Sequence, residues 1–368
     1  MYYNYCNFVR NVKNKKKMKS ILNKVKWGII GPGKIAHRFA DGLKETSSGE
    51  LIAIASKNED RRKSFGDDYN INSLLRFGTY EEIIQCSKVD AVYISTPHTL
   101  HAEWTIKAAN KNKHVLCEKP GAINYAEMKK VIEAVKSAGI FYMEGLMYRC
   151  HPQTVKLLKT IKENNIGKII SIDSSFGFDI GKIDSNSRLF NINLAGGSIL
   201  DVGLYPISFS RLIAGYVSGK KFLNPYKIEG TATIGETGVD EIAYATLYFE
   251  NKIIANVSTA IRKNMKNSAI IKGTKGSITI TNPWVYDKES EFYESLIIVD
   301  TEKKKKIIDV KRPEHIFSFE IELANRTIIE KRNEVFPPAM IWDDTLGNIE
   351  VLDRWRKSIG YKLPQETI

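Results

Sequence analysis

The chain has 368 residues, with 43% hydrophobic and 26% charged side chains and a formal net charge of +13. That length exceeds one ordinary core and suits two domains of a soluble globular protein, and no apolar run approaches the roughly 20 residues of a membrane-spanning helix. The charge is concentrated: residues 1–26 hold eight basic side chains and no acid, so it marks a tail rather than a basic stripe on a folded face and argues against a nucleic-acid partner.

Residues 1–23 are expected to form a disordered basic extension, with Met18 as an alternative start. The extension lacks the apolar core of a secretory signal and is too Lys-rich for a transit peptide. Cys6, Cys86, Cys117 and Cys150 are widely spaced, without CxxC or Cys/His zinc spacing. A reduced, cytoplasmic protein without a structural metal follows.

From Val25 the chain alternates strands and helices. Val25–Ile30 is an apolar strand. It runs straight into Gly31-Pro32-Gly33-Lys34-Ile35-Ala36, a G-x-G-x-x-A turn. Gly31 permits the tight turn, Gly33 lets the backbone approach a pyrophosphate, and Ala36 lets helix and strand pack closely. The helix N-terminus, with Lys34 and Ile35, then faces the phosphates. The helix 35–44 places Ile35, Phe39 and Leu43 on one face. A second strand, 51–55, leads into Ser56-Lys57-Asn58-Glu59-Asp60-Arg61-Arg62. No acid stands at the strand end to accept from a ribose 2′-OH. Ser56 and Asn58 suit a phosphate and Lys57 and Arg61 neutralise one, so NADP(H) is favoured over NAD. The alternative is that Arg61 and Arg62 only solvate the next helix, 60–69. A short helix at 80–85 and a strand at 91–95 follow. Thr96-Pro97-His98-Thr99-Leu100-His101 opens a helix over 101–111. The strand 114–117 ends at Glu118-Lys119-Pro120. Both loops lie at carboxyl ends of parallel strands, where open α/β sheets bind ligands, and Pro120 holds Lys119 extended. The helix 126–138 stops at Gly139, and a strand covers 141–144.

After about residue 165 the pattern changes. The segment 168–178 alternates, with Ile170, Ile172, Phe176 and Phe178 on one face. Strands are expected at 227–234, 241–249, 252–261, 268–280 and 294–299, with helices at 199–215, 318–331 and 345–358. Lys303–Lys306 reads as a hairpin tip. The fold class is therefore α/β: an N-terminal Rossmann domain over 24–148, then an α+β domain over 149–368 with an open, largely antiparallel sheet. The last helices are expected to pack back toward the first domain.

The Gly-Pro-Gly-Lys-Ile-Ala turn, the Thr-Pro-x-x-x-His segment and Glu-Lys-Pro, in this order, resemble the Gfo/Idh/MocA oxidoreductase family over nearly the whole chain from Lys24. The resemblance implies that Lys119 lies near the nicotinamide and substrate. It also matches Gly196-Gly197-Ser198-Ile199-Leu200-Asp201-Val202-Gly203-Leu204-Tyr205 to the family's Gly-Gly-x-x-x-Asp-x-Gly-x-[His/Tyr] segment. Tyr at 205, where many members carry His, is similar to the dihydrodiol dehydrogenase branch. The Met147-Tyr148-Arg149-x-His151-Pro152-Gln153 stretch and the closing helix resemble D-xylose dehydrogenase-like members. If the segment is helical from Leu200, Asp201 and Tyr205 share a face, with Pro206 in the first turn.

These expectations combine into hydride transfer between nicotinamide and a sugar, polyol or trans-diol. Tyr205 acts as general acid/base, Lys119 stabilises the developing alkoxide, Asp201 orients Lys119 or binds a substrate hydroxyl, and Arg149 and Tyr148 contact substrate. A nucleotide-sugar dehydrogenase of a surface-polysaccharide pathway, or a non-catalytic dinucleotide sensor, are the alternatives. No metal and no membrane are expected as partners. A homodimer or homotetramer through the open sheet is.

Overall fold

In the computed structural model, residues 24–163, 166–284, 296–310 and 314–366 are described. The basic extension with Cys6 lies outside them. Contacts divide the chain into two compact units.

Among the described residues, the first unit comprises 24–122, 126–151 and 314–345. Its six strands, β1 (Val25–Ile30), β2 (Gly49–Ala55), β3 (Arg76–Phe77), β4 (Ala91–Ile94), β5 (His114–Glu118) and β6 (Tyr142–Gly145), form a parallel sheet in the order 3-2-1-4-5-6. This is the doubly wound dinucleotide-binding order, with its reversal between β1 and β4. The central strands are apolar because both faces are covered: Trp27, Ile29, Ile30, Val92, Tyr93, Ile94, Val115 and Leu116 are fully buried. The helices are α1 (Lys34–Lys44), α2 (Glu59–Asp68), α3 (Tyr80–Gln85), α4 (His101–Ala109) and α5 (Tyr125–Ala138). Gly139, at φ +63°, ends α5 as expected.

Residues 314–345 group by contact with this unit, although the sequence assigned all of 149–368 to the second domain. Their helix, Ile316–Ile329, packs on α1 and on β1 and β2. Two bonds explain the grouping. The Trp27 indole Nε1 donates to Asn325 Oδ1 at 2.7 Å, and Ser48 Oγ donates to Glu322 Oε2 at 2.8 Å. A buried indole N–H without a partner would cost about 1–3 kcal/mol. The two helices approach closely at Gly42, where a Cβ would lie 2.7 Å from Phe317 Cβ. Gly42→Val is expected to destabilise this unit by about 1–3 kcal/mol, read as a lowered urea midpoint. An unchanged midpoint would show that the helices tolerate wider spacing.

The second unit contains 123–125, 152–310 and 346–366 among the described residues. It begins with α6 (Pro152–Glu163), which the sequence reading did not assign. Pro152 occupies the first turn, where its missing N–H costs nothing, and Leu157 and Leu158 are buried. An eight-stranded sheet follows: β7 (Ile169–Gly177), β8 (Lys227–Ile234), β9 (Asp240–Tyr248), β10 (Ile254–Ala260), β11 (Ser268–Gly273), β12 (Gly276–Thr281), β13 (Leu296–Thr301) and β14 (Lys304–Asp309). The order is 14-13-12-11-7-10-9-8, antiparallel except for the parallel pair β7–β10.

Three expectations change here. The strand expected at 268–280 is two strands, because the chain reverses at Thr274-Lys275 with Gly276 at φ +156°. Of the expected hairpin tip Lys303–Lys306, only Lys303 lies in the turn between β13 and β14, and Lys304–Lys306 begin edge strand β14, with Thr301 opposite Lys304. Ile170 faces outward at 47% exposure instead of joining Ile172, because the β11–β7 register shifts at Lys272/Gly273 and seats Ile169 inside.

Candidate active site

In the first unit, the strand order sets the turn after β1 and the loops after β2, β4 and β5 side by side at the carboxyl ends of neighbouring strands. Gly31 has φ +90°, which favours glycine, and its N–H donates to Ala55 O at 3.1 Å. Gly33 is the N-cap of α1 and has no side chain to cap the first turn. A Cβ on Gly33 would meet nothing within 4 Å. Pro32, Lys34 and Ile35 are exposed or half-buried around this turn, while Ala36 is fully buried under it. Open space over a helix N-terminus fits the phosphates of a dinucleotide.

At the end of β2, the N–H of Asn58 donates to Ser56 Oγ at 3.2 Å, and Asn58 Oδ1 caps α2 by accepting from Arg61 N–H at 2.9 Å. Asn58 is thus the helix cap and Lys57 and Arg61 remain exposed. Arg62 is not merely solvating its helix. Its guanidinium donates to Ser56 O at 2.6 Å and ties the loop down.

After β4, Ser95 Oγ donates to Gly31 O at 2.8 Å, tying this loop to the glycine turn. Thr96 Oγ1 is buried without a hydrogen-bond partner among the described residues. Its methyl lies 3.4 Å from where a Gly31 Cβ would be. An orphaned hydroxyl beside the glycine turn is the second feature that fits a bound dinucleotide. Pro97 is half-buried and His98 is 5% exposed in a short 3-10 turn (His98–Leu100).

His101, expected to contact the cofactor, has both ring nitrogens turned to backbone carbonyls. It is 1% exposed, with Nε2 2.7 Å from Thr96 O and Nδ1 2.8 Å from Pro120 O. The imidazole links the loops after β4 and β5 through their backbones. Glu118, likewise expected to contact the cofactor, turns its carboxylate inward, accepting from the Tyr93 hydroxyl and from Lys119 N–H at 3.3 Å. Beyond Pro120, Gly121 N–H donates to Glu144 Oε1 at 2.9 Å, while Glu144 Oε2 accepts from Thr345 Oγ1 at 3.1 Å. Three independent attachments therefore fix the backbone on either side of Lys119, which is itself half-buried. The Lys119–Pro120 peptide is cis.

Tyr93 and Glu144 were missed from sequence. A tyrosine in an apolar strand and a glutamate at the end of another carry no local signal of where they point. A further carboxyl, Glu320, is fully buried with neither oxygen hydrogen-bonded among the described residues. Burial, and then the charge of Glu118, push it well above the carboxylate range.

Arg149, expected to contact substrate, is turned into the first unit. It is fully buried, donating from Nε to Pro338 O at 2.5 Å and pairing through Nη2 with Asp344 at 2.6 Å. Tyr148 beside it is 2% exposed. The pair joins the 3-10 turn Met147–Arg149 to the segment 338–344, an internal brace of the first unit.

In the second unit, the Gly196-Gly197 turn leads into a π-helical turn, Ile199–Gly203, and then α7 (Leu204–Val217). The sequence pattern predicts one α-helix over 199–215. Pro206 has no N–H to return to the preceding turn, and the wider turn precedes it. Asp201 is 3% exposed and accepts from Arg188 Nη1 at 2.8 Å, a partner that sequence did not indicate. The Tyr205 ring packs edge-on against Phe176 at 5.1 Å and lies 6.1 Å from Trp284, whose Nε1 donates to Ser175 O at 2.7 Å.

Among the described residues no group of three or more His, Cys, Asp or Glu is arranged to hold a metal. No described helix is long and apolar enough to cross a membrane.

Comparison with known proteins agrees with this geometry. Residues 25–146 match the Gfo/Idh/MocA oxidoreductase family, NAD-binding Rossmann fold, and residues 154–279 match the GFO/IDH/MocA C-terminal domain. A trans-1,2-dihydrobenzene-1,2-diol dehydrogenase of Mus musculus is 30% identical over 349 residues, covering 93% of this chain and 99% of the relative. An aldose-aldose oxidoreductase from Caulobacter crescentus, solved with glycerol, superposes with a TM-score of 0.80 at 26% identity, over 91% of this chain and 97% of that one. A 3-ketoreductase from Actinomadura kijaniata, solved with NADP and TDP-benzene, superposes with a TM-score of 0.79 at 23% identity, over 92% and 98%. The chain belongs to the Gfo/Idh/MocA oxidoreductase family, with an NAD-binding Rossmann fold followed by the family's C-terminal domain.

Proposed function

We propose that this oxidoreductase uses NADP(H) and acts on a hydroxyl or carbonyl of a sugar, polyol or trans-diol. The observation that carries the reading is the open helix N-terminus over Gly33 with exposed Lys57 and Arg61 and no acid at the end of β2. The relatives' named diol, aldose and keto substrates support the substrate class. When bound, the nicotinamide supplies the hydride chemistry. Gly31, Pro32, Gly33, Lys34 and Ile35 would cradle the pyrophosphate, and Ser56, Lys57 and Arg61 the 2′-phosphate. Thr96, Pro97 and His98 would line the rest of the dinucleotide site. Lys119 would stabilise the alkoxide that develops on substrate. Tyr205 would hold or release the proton on that oxygen, with Asp201 and its Arg188 partner beside it.

The test is a screen of D-xylose, D-glucose, other aldoses and trans-1,2-dihydrobenzene-1,2-diol with NADP⁺ and NAD⁺, followed at the nicotinamide absorbance. Turnover of one of these with NADP⁺ supports the reading, and none with either cofactor overturns it. Replacing Lys57 and Arg61 together by Ala is expected to raise the KM for NADP⁺ about 30-fold or more while changing that for NAD⁺ little, since only the former loses charge-assisted bonds. An unchanged ratio would remove both residues from the phosphate site.

A cytoplasmic location agrees with Cys86, Cys117 and Cys150 all being free. A homodimer through the outer face of the eight-stranded sheet agrees with exposed Ile170, Tyr244 and Ile254 on that unit. The edge is a poor alternative, because Lys304, Lys305 and Lys306 of β14 discourage strand addition.

A further inference from the structure

Asp240 is the first residue of β9 and is 1% exposed. Its Oδ2 accepts from the Ile199 N–H at 2.7 Å and from Ser198 Oγ at 2.8 Å. Gly197, at φ +109°, runs so close that a Cβ there would overlap Asp240 Oδ1. From β10, Thr259 Oγ1 donates to Ser198 O at 3.1 Å. Gly197 is thus explained by a carboxyl group, whereas Gly196 makes room for the backbone carbonyls of Arg188 and Leu189. Asp240 grips the start of the π-helical turn that carries Asp201 and leads directly to Tyr205.

We propose that Asp240 is a positioning residue whose carboxylate anchors the turn at 196–199 and, through it, Tyr205, so that turnover follows the charge on Asp240. This rests on the proposed role of Tyr205. The groups that face Asp240 are Ser198 and the Ile199 N–H from the turn, Arg356 from the helix Trp342–Ser358, and Tyr361 beyond it. Arg356 is itself shared with Asp353 at 2.6 Å and Glu366 at 2.7 Å. Burial pushes the Asp240 carboxyl up from 3.8 to about 6, against the opposing pull of the Ile199 and Ser198 bonds and of Arg356. Protonation preserves its shape but removes the charge that strengthens both anchoring bonds. Folding runs the other way. The raised value favours the native state below about pH 4, and that advantage is lost as pH rises through about 6. The protonation that helps the fold therefore loosens the turn.

The experiment measures kcat, cofactor affinity and the urea midpoint of the full chain between about pH 5 and 8, with the best aldose or diol of the screen above and NADP⁺. Wild type is expected to lose turnover about 10-fold as pH falls through 6, with cofactor affinity flat. Asp240→Asn is expected to be about 10-fold slower at pH 8 and to lack that inflection. Ser198→Ala, one donor short, is expected to move the inflection to higher pH. Asp240→Asn with the wild-type inflection and kcat within about twofold, or Ser198→Ala with the inflection unmoved, overturns the proposal. Should Asp240→Asn fail to fold, Ser198→Ala decides alone. Normal turnover by Tyr205→Phe would instead overturn the role of Tyr205, a separate outcome.

Discussion

Tyr205→Phe is expected to lower kcat about 100-fold or more while leaving cofactor affinity unchanged. The substitution isolates the hydroxyl. The ring's packing, 5.1 Å from Phe176 and 6.1 Å from Trp284, is retained by phenylalanine. What is lost is the group proposed to exchange a proton with the reacting oxygen. Steady-state turnover with quenching of protein fluorescence by the cofactor separates the two effects. Near-normal kcat would show that the proton travels by another route, and a parallel loss of cofactor affinity would show a structural defect. Lys119→Met should behave as the complement, slowing turnover strongly, because its backbone is pinned by Glu118, His101 and Glu144 whatever the side chain.

Arg149→Met is expected to cost about 3–5 kcal/mol of stability, because it leaves the Asp344 carboxylate buried without its cation. Both side chains are almost completely buried, at 0% and 2% exposure, and 2.6 Å apart, so water cannot replace the partner. Replacing both, Arg149→Met with Asp344→Leu, should recover much of the loss, since an apolar pair of similar volume escapes the desolvation cost. Urea denaturation of both variants measures this. Where the single variant remains folded its substrate KM should match wild type. A raised KM with an unchanged urea midpoint would return Arg149 to the substrate contacts that the sequence motif implied.

The parts legible in the sequence are those whose signals are local. The strand Val25–Ile30 is apolar except for the exposed Lys26 and runs into the glycine turn at Gly31, so its limits coincide with the structure. The charge at the end of β2 is local too, since no acid stands between Ala55 and Asn58. The parts that were not legible depend on partners far along the chain. Glu118 turns inward because Tyr93 stands 25 residues earlier. Ile199 is held by an aspartate 41 residues away. Arg149 meets an acid 195 residues on. A motif places such a residue near a site but does not say which way its side chain faces, and Arg149, His101 and Glu118 all face inward. The π-helical turn escaped for a related reason: a 3.6-residue period is visible in a sequence, whereas one wider turn before Pro206 is not.

The packing of the helix Ile316–Ile329 onto α1, β1 and β2 has a consequence for biosynthesis. Strands β1 to β6 all leave the ribosome by residue 145, yet Trp27 and Ser48 receive their buried partners only from Asn325 and Glu322. At about 5–20 residues per second, the nascent first unit waits on the order of ten seconds or more with one face incomplete. Chaperone capture of nascent chains should therefore persist until residues near 330 emerge, and a fragment ending at residue 151 should be recovered insoluble unless a peptide spanning 314–345 is supplied with it.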